Sequence, residues 1–131
     1  MSKPLALIAE DDPKLGMIYE LTLQKAGYDT FLDINGDQIM RKLAATVDPG
    51  LIILDMHLPY ASGAELLQQI RADARWANVP VIVATADIFS AKSLEGKAEY
   101  VLTKPVSVGR LLEIIAHIQK PTTVKESGDV P

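Results

Sequence analysis

The feature that most constrains this chain is a pair of short, wholly apolar runs that stop abruptly at carboxylates. Leu5-Ala6-Leu7-Ile8-Ala9 breaks into Glu10-Asp11-Asp12-Pro13, and Leu51-Ile52-Ile53-Leu54 runs straight into Asp55. A strand that is apolar at every position, instead of alternating, has both faces covered, as in a parallel sheet carrying helices on either side. Val81-Ile82-Val83-Ala84 before Thr85 and Tyr100-Val101-Leu102 before Thr103-Lys104-Pro105 share the pattern. Tyr28 to Ile34 supplies one more strand, interrupted by Asp29 and Asp33.

Helix signals lie between these runs. Asp12 reads as an N-cap with Pro13 at the first helical position. Leu15, Ile18, Tyr19, Thr22 and Ala26 share a helical stripe that Gly27 ends. Asn35-Gly36-Asp37 turns into a helix carrying Ile39, Met40 and Leu43, and Asp48-Pro49-Gly50 reads as a breaker. A loop from His57 to Gly63 leads to a helix from about Ala64 to Asp73. Residues 88–97 carry a short, weakly patterned helix, and Ser107 caps a last one with Leu111, Leu112, Ile115 and Ile118 inward. Strand–helix alternation repeated five times predicts an α/β fold, a five-stranded parallel sheet with helices on both faces. A length of 131 residues suits one domain, expected over 1–120, with 121–131 as a mobile tail lacking any period.

Composition excludes several function classes. Thirteen basic residues against 17 acidic ones give a net charge of −4, which argues against a nucleic-acid-binding surface. The chain has no cysteine, hence no disulfide, thiolate zinc site or cysteine nucleophile. It has neither an apolar run of membrane-spanning length nor the order of a signal peptide, so a cytoplasmic domain without membrane insertion is expected.

In open parallel sheets functional groups gather beyond the carboxyl ends of the strands. There the first strand brings Glu10 and Asp11, the third Asp55, the fourth Thr85 and the fifth Lys104. Clustered carboxylates repel unless a cation sits among them, and hard oxygen ligands with an incomplete protein shell suit Mg²⁺. A remaining Asp55 oxygen would be free to attack phosphorus and form an acyl phosphate. Lys104 and Thr85 would help by positioning and charge neutralisation. Taken singly, each residue has an ordinary structural reading. The acidic run can be a favourable helix start, Asp55 a turn residue, Thr85 a cap and Lys104-Pro105 a loop opening.

Their combination resembles the receiver domain of two-component response regulators, a CheY-like fold of the flavodoxin-like class. The matching residues are Glu10-Asp11, Asp55-Met56-His57-Leu58-Pro59 with Gly63, Thr85-Ala86 and Lys104-Pro105, over about residues 4–120. The resemblance implies that Asp55 accepts a phosphoryl group from a sensor histidine kinase or a histidine phosphotransferase. It implies that Asp11 and Asp55 ligate Mg²⁺ with the His57 backbone carbonyl, and that Glu10 acts through metal-bound water. Lys104 would pair with the phosphoryl oxygens next to a cis peptide at Pro105, and Thr85 would move onto the phosphoryl group.

Two departures stand out. The position three before Lys104, usually aromatic in the family, is Val101, with Tyr100 one residue early and expected on the opposite face. The stretch from Thr85 to Lys104 is about one helical turn shorter than usual, which implies a shortened fourth helix. The expected protein is a stand-alone signalling domain, not an enzyme beyond its own phosphorylation and dephosphorylation. It would act as a phosphorylation-dependent switch on a downstream protein target or as a phosphorelay carrier. Competing readings are a constitutive interaction module and a phosphatase with Asp55 as nucleophile, the latter opposed by His57 where a second acid is usual. The His57 side chain and His117 are expected at the surface, and Trp76 and Tyr60 in packing or loop roles.

Overall fold

The computed structural model describes residues 3–87, 89, 92–93 and 98–120. Strands β1 (Leu5–Ala9), β2 (Asp29–Asp33), β3 (Pro49–Asp55), β4 (Val81–Thr85) and β5 (Tyr100–Thr103) form one sheet in the order β2-β1-β3-β4-β5. Every neighbouring pair is parallel. Parallel neighbours need crossovers. These include helices α1 (Pro13–Lys25), α2 (Ile39–Ala44) and α3 (Gly63–Ala72), with a 3₁₀ turn at Ala74–Trp76, and helix α4 (Val108–Gln119) follows β5. The strand order reverses at β1, so the ends of β1 and β3 flank the switch point at which such sheets place ligands.

Alternation along the strands sorts the core into two clusters. Leu7, Ala9, Ile52, Leu54, Val81 and Val83 pack with Ile39 and Leu43 of α2 and Leu66, Leu67 and Ile70 of α3. Ala6, Ile8, Leu51, Ile53, Ile82 and Leu102 pack on the other face with Tyr19 and Leu23 of α1 and Leu111, Ile114 and Ile115 of α4. With both faces covered, the inner positions of β1, β3 and β4 do not reward a polar residue and read as apolar runs, whereas the edge strand β2 is mostly half-buried and carries Asp29 and Thr30.

Asp12 caps α1 as expected, accepting from Lys14 N at 2.9 Å, and Gly27 closes that helix at φ +100°, a conformation that suits glycine. Ser62, whose hydroxyl accepts from Ala64 N at 3.2 Å, starts α3 one residue earlier than expected. Gly63 is required there, because a Cβ would overlap the Asp55 carbonyl oxygen. The expected break falls at Asp48, which lies in a bend, but Pro49 and Gly50 already belong to β3. Proline is tolerated as a first strand residue, and the ladder to β1 shifts register just beyond it. Both stripes are also rotated from expectation. Ile18 is 40% exposed while Gly16 and Leu23 turn inward, and Leu112 is 46% exposed while Ile114 is buried. Of the expected fourth helix only Phe89, Lys92 and Ser93 are described, and they are helical. Most of that segment, and all of 121–131, lie outside the described residues.

Candidate functional site

The site is built at one edge because every strand of a parallel sheet ends there. Side chains two residues apart share a face. Glu10, Asp55 and Lys104 therefore continue the rows of Ile8, Ile53 and Leu102, all in the cluster under α1 and α4. Thr85 continues the row of Val81 and Val83 on the α2/α3 face. Of the residues singled out in the sequence, Glu10, Asp11, Asp55 and Lys104 are brought together, and Thr85 reaches the same edge from the other face.

Glu10 is completely buried, and its Oε2 accepts from Asp12 N at 3.1 Å. Asp55 is also buried, and its Oδ1 accepts from His57 N at 3.2 Å. Lys104 Nζ lies 3.2 Å from Asp55 Oδ2 and 3.3 Å from each Glu10 oxygen, sharing one ammonium between two buried carboxylates. Its backbone N donates to Thr85 O at 2.8 Å, which ties the end of β5 to that of β4, and its peptide to Pro105 is cis. Asp11 is exposed, yet one oxygen from each of Glu10, Asp11 and Asp55 falls within 4.8 Å of the others. The Thr85 hydroxyl accepts from Asp87 N at 3.1 Å.

The charge balance is unfavourable as it stands, with three carboxylates against one ammonium. Burial, helped by the charge of Asp55, raises the Glu10 carboxyl to about 7, against the opposing pull of Asp12 N and Lys104. Burial works against the Lys104 ammonium, but Glu10 and Asp55 outweigh it and the net shift is upward. Glu10 Oε1 is buried and has no hydrogen-bond partner among the described residues, since the Lys104 approach lacks hydrogen-bond geometry. An orphaned carboxylate oxygen beside two further carboxylates is a donor set that fits a hard divalent cation completed by water.

Expectations for the remaining residues divide. The His57 side chain is exposed and its backbone meets Ser62 in an antiparallel bridge. Tyr60 is exposed and Trp76 is buried in the α2/α3 cluster. His117 is exposed as expected, but its Nδ1 shares a hydrogen bond with the Tyr100 hydroxyl, and the rings meet edge to face at 6.0 Å. Tyr100 thus belongs to the α1/α4 face, while Val101 packs on the α2/α3 face, toward which the row of Val83 and Thr85 also points.

Asp33 and Tyr19 carry buried polar groups that the sequence does not single out. Asp33 reads in the sequence as an interruption of its strand, but its carboxylate is buried and accepts from Asn35, Gly36, Gln38 and Ile39 N between 2.7 and 3.1 Å. The Asn35-Gly36 turn just after it was the available signal. Tyr19 reads as part of the α1 stripe, but its hydroxyl is buried without a hydrogen-bond partner among the described residues, and nothing in the pattern marks it.

Comparison with known proteins agrees with this geometry. Residues 6–116 match the family model of the response regulator receiver domain. The DNA-binding dual master transcriptional regulator RpaA of Synechocystis sp. is 33% identical over 122 residues, covering 91% of this chain and 50% of RpaA. The polar-differentiation response regulator DivK of Brucella anthropi is 32% identical over 118 residues, covering 86% of this chain and 94% of DivK. The chain thus spans half the length of one relative and nearly all of another. The structure of chemotaxis response regulator CheY4 of Vibrio cholerae shares the fold with a TM-score of 0.78 at 24% identity, covering 89% of this chain and 99% of CheY4. Matched over most of its length by a receiver-domain model, the chain belongs to the response regulator receiver domain family.

Proposed function

We infer that Asp55 is the phosphoacceptor of a two-component signalling domain spanning residues 1–120. The observation that carries this reading is the placement of Asp55, buried at the switch point and 3.2 Å from Lys104, with Glu10 and Asp11 beside it. Receiver domains are signalling domains, not classical enzymes. The donor is a phosphohistidine on a sensor histidine kinase or a histidine phosphotransferase. A carboxylate oxygen of Asp55 attacks phosphorus, the P–N bond breaks as the P–O bond forms, and the histidine leaves with the electron pair.

Each neighbour has a role in that transfer. Lys104 neutralises the phosphoryl oxygens and holds them in line. Asp11, Asp55 and the His57 carbonyl would hold Mg²⁺, with Glu10 acting through its water, and the bound ion would offset charge on the phosphoryl oxygens. The Thr85 hydroxyl gives up Asp87 N and turns to the phosphoryl group, shifting a pre-existing equilibrium that a downstream protein reads or that precedes onward transfer. No described helix is long and apolar enough to cross a membrane, which is compatible with a cytoplasmic place of action.

The test is intact mass after incubation with acetyl phosphate and Mg²⁺. The expected result is a gain of one phosphoryl group, absent from Asp55→Asn and from chelator-treated protein. No gain in a folded sample would overturn the reading. A second reading, a constitutive interaction module, is favoured by one observation, the engagement of Tyr100 with His117 on the face away from Thr85. It predicts equal partner affinity for wild type and Asp55→Asn.

A further inference from the structure

We propose that Glu99, held by Arg71, is a positioning residue of the phosphotransfer site, fixing the register of β5 and through it the aim of Lys104 at Asp55. The strand itself does little to fix that register. β5 is an edge strand of four residues with β4 as its neighbour, and Leu102 is its one buried residue. Register is strongly specified only where burial sorts the two faces of a strand, and a slip of one residue sends every side chain to the opposite face. Lys104 directly follows β5, so such a slip would turn it away from Glu10 and Asp55.

The two ends of the β4–β5 ladder are held by different means. At the end nearer the site, Lys104 N donates to Thr85 O at 2.8 Å. At the other end Ile82 pairs with Tyr100, which sets Val81 opposite Glu99. There Val81 N donates to a side chain, Glu99 Oε1, at 3.1 Å, so this bond depends on which residue stands at 99. The same oxygen accepts from Arg71 Nη2 at 2.6 Å. Arg71 belongs to the last turn of α3, and its Nη1 donates to the carbonyls of Trp76, Ala77 and Val79 at 3.2, 3.3 and 3.1 Å. The guanidinium is thereby tied to the segment that leads into β4, and it holds Glu99 level with Val81.

The faces agree with this role. Glu99 is two residues before Val101, which packs on the α2/α3 side, whereas Lys104 is two after Leu102 on the α1/α4 side. One register therefore sends Glu99 to Arg71 and Lys104 to Asp55, and a slip would lose both. A partly exposed ion pair contributes little by itself, but this carboxylate also takes up a strand N–H. The inference rests on the phosphoacceptor reading, since Lys104 is the group being aimed.

The experiment compares initial rates of labelling by acetyl phosphate with Mg²⁺, read by intact mass on the whole chain. The proteins are wild type, Glu99→Ala, Glu99→Gln, Lys104→Ala and the double variant Glu99→Ala/Lys104→Ala, each shown to be folded by circular dichroism. Glu99→Ala is expected to label about tenfold more slowly than wild type. Glu99→Gln keeps an oxygen for Val81 N and Arg71 and should stay within about twofold. In the Lys104→Ala background, Glu99→Ala should slow labelling no further, because its effect passes through that ammonium. A wild-type rate in Glu99→Ala overturns the proposal. So does slowing that persists in the Lys104→Ala background, as a general loosening of the fold would produce. Glu99→Gln as slow as Glu99→Ala also overturns it, by assigning the effect to charge. If Glu99→Ala does not fold, Glu99→Asp, one methylene shorter, takes its place in both comparisons. Failure of the phosphoacceptor reading looks different: the wild type itself takes up no phosphoryl group, and the proposal falls with it.

Discussion

Asp33 and Asp55 occupy matching places, each the last residue of a parallel strand, each 3% exposed, on two strands that flank β1. Their surroundings differ in kind. Asp33 accepts four backbone N–H groups from the turn and helix that follow it, so its charge is spread over fixed donors. Asp55 accepts one N–H and shares the Lys104 ammonium with Glu10, another buried carboxylate. A buried carboxylate with all its donors in place has nothing left to do and holds the fold together. One that is short of donors and crowded by a second carboxylate has oxygens available for a cation or an electrophile.

The sharpest way to break this contrast is to remove the Asp33 carboxylate. Asp33→Ala leaves four backbone donors unmet, two of the bonds being buried, and is expected to cost about 3 kcal/mol. In a domain of this size that is a fall of about 10 °C in Tm, readable by calorimetry. Labelling of the folded fraction by acetyl phosphate should stay within about twofold of wild type. Lost labelling at unchanged stability would place Asp33 in the chemistry and erase the distinction.

Glu10 sharpens it next, through pH. In the unfolded chain its carboxyl titrates at 4.5, and in the folded metal-free protein at about 7. Between these values the folded state holds a proton that the unfolded state has released, so on this group's account stability falls as pH rises from about 4.5 to about 7. The fall is roughly 3 kcal/mol at most and levels off above pH 7. Urea unfolding in chelator should show a flatter profile for Glu10→Gln than for wild type over that window. Saturating Mg²⁺ should reverse the order at neutral pH, since the ion stabilises the state that binds it. Identical slopes for the two proteins would mean that burial does not penalise this charge.

The contrast also explains what was readable beforehand. The sheet was legible because strands covered on both faces must be apolar throughout, and the site because Glu10, Asp11, Asp55 and Lys104 interrupt those runs where parallel strands end together. The role of Asp33 was not, because it depends on donors at 35–39 that converge only once the turn has formed. Pro49 read as a breaker, yet a first strand residue can do without an N–H in the ladder. The centres of the α1 and α4 stripes were misplaced because apolar residues flank them on both sides. Helical period fixes spacing, but the choice of Gly16 over Ile18, and of Ile114 over Leu112, depends on what packs opposite.

The smallest expected effect concerns Tyr100, which shares a face with Lys104 but stands four residues before it. Its hydroxyl is engaged by His117 of α4 at an exposed position, so Tyr100→Phe should cost about 1 kcal/mol or less. Because Tyr100 and Thr85 lie on opposite faces, the substitution should leave the rate of acetyl phosphate labelling unchanged within about twofold. On the proposed reading that rate depends on groups around Asp55, whereas the Tyr100 hydroxyl is engaged by His117. Comparing amide NMR spectra of the two proteins with and without the phosphoryl analogue beryllofluoride sharpens the point. If Tyr100 only clasps α4, the shifts at Thr85 on adding the analogue are the same in both. Shifts at Thr85 that vanish in Tyr100→Phe would mean that the sheet transmits the change between its faces and that the tyrosine takes part from the side opposite Val101.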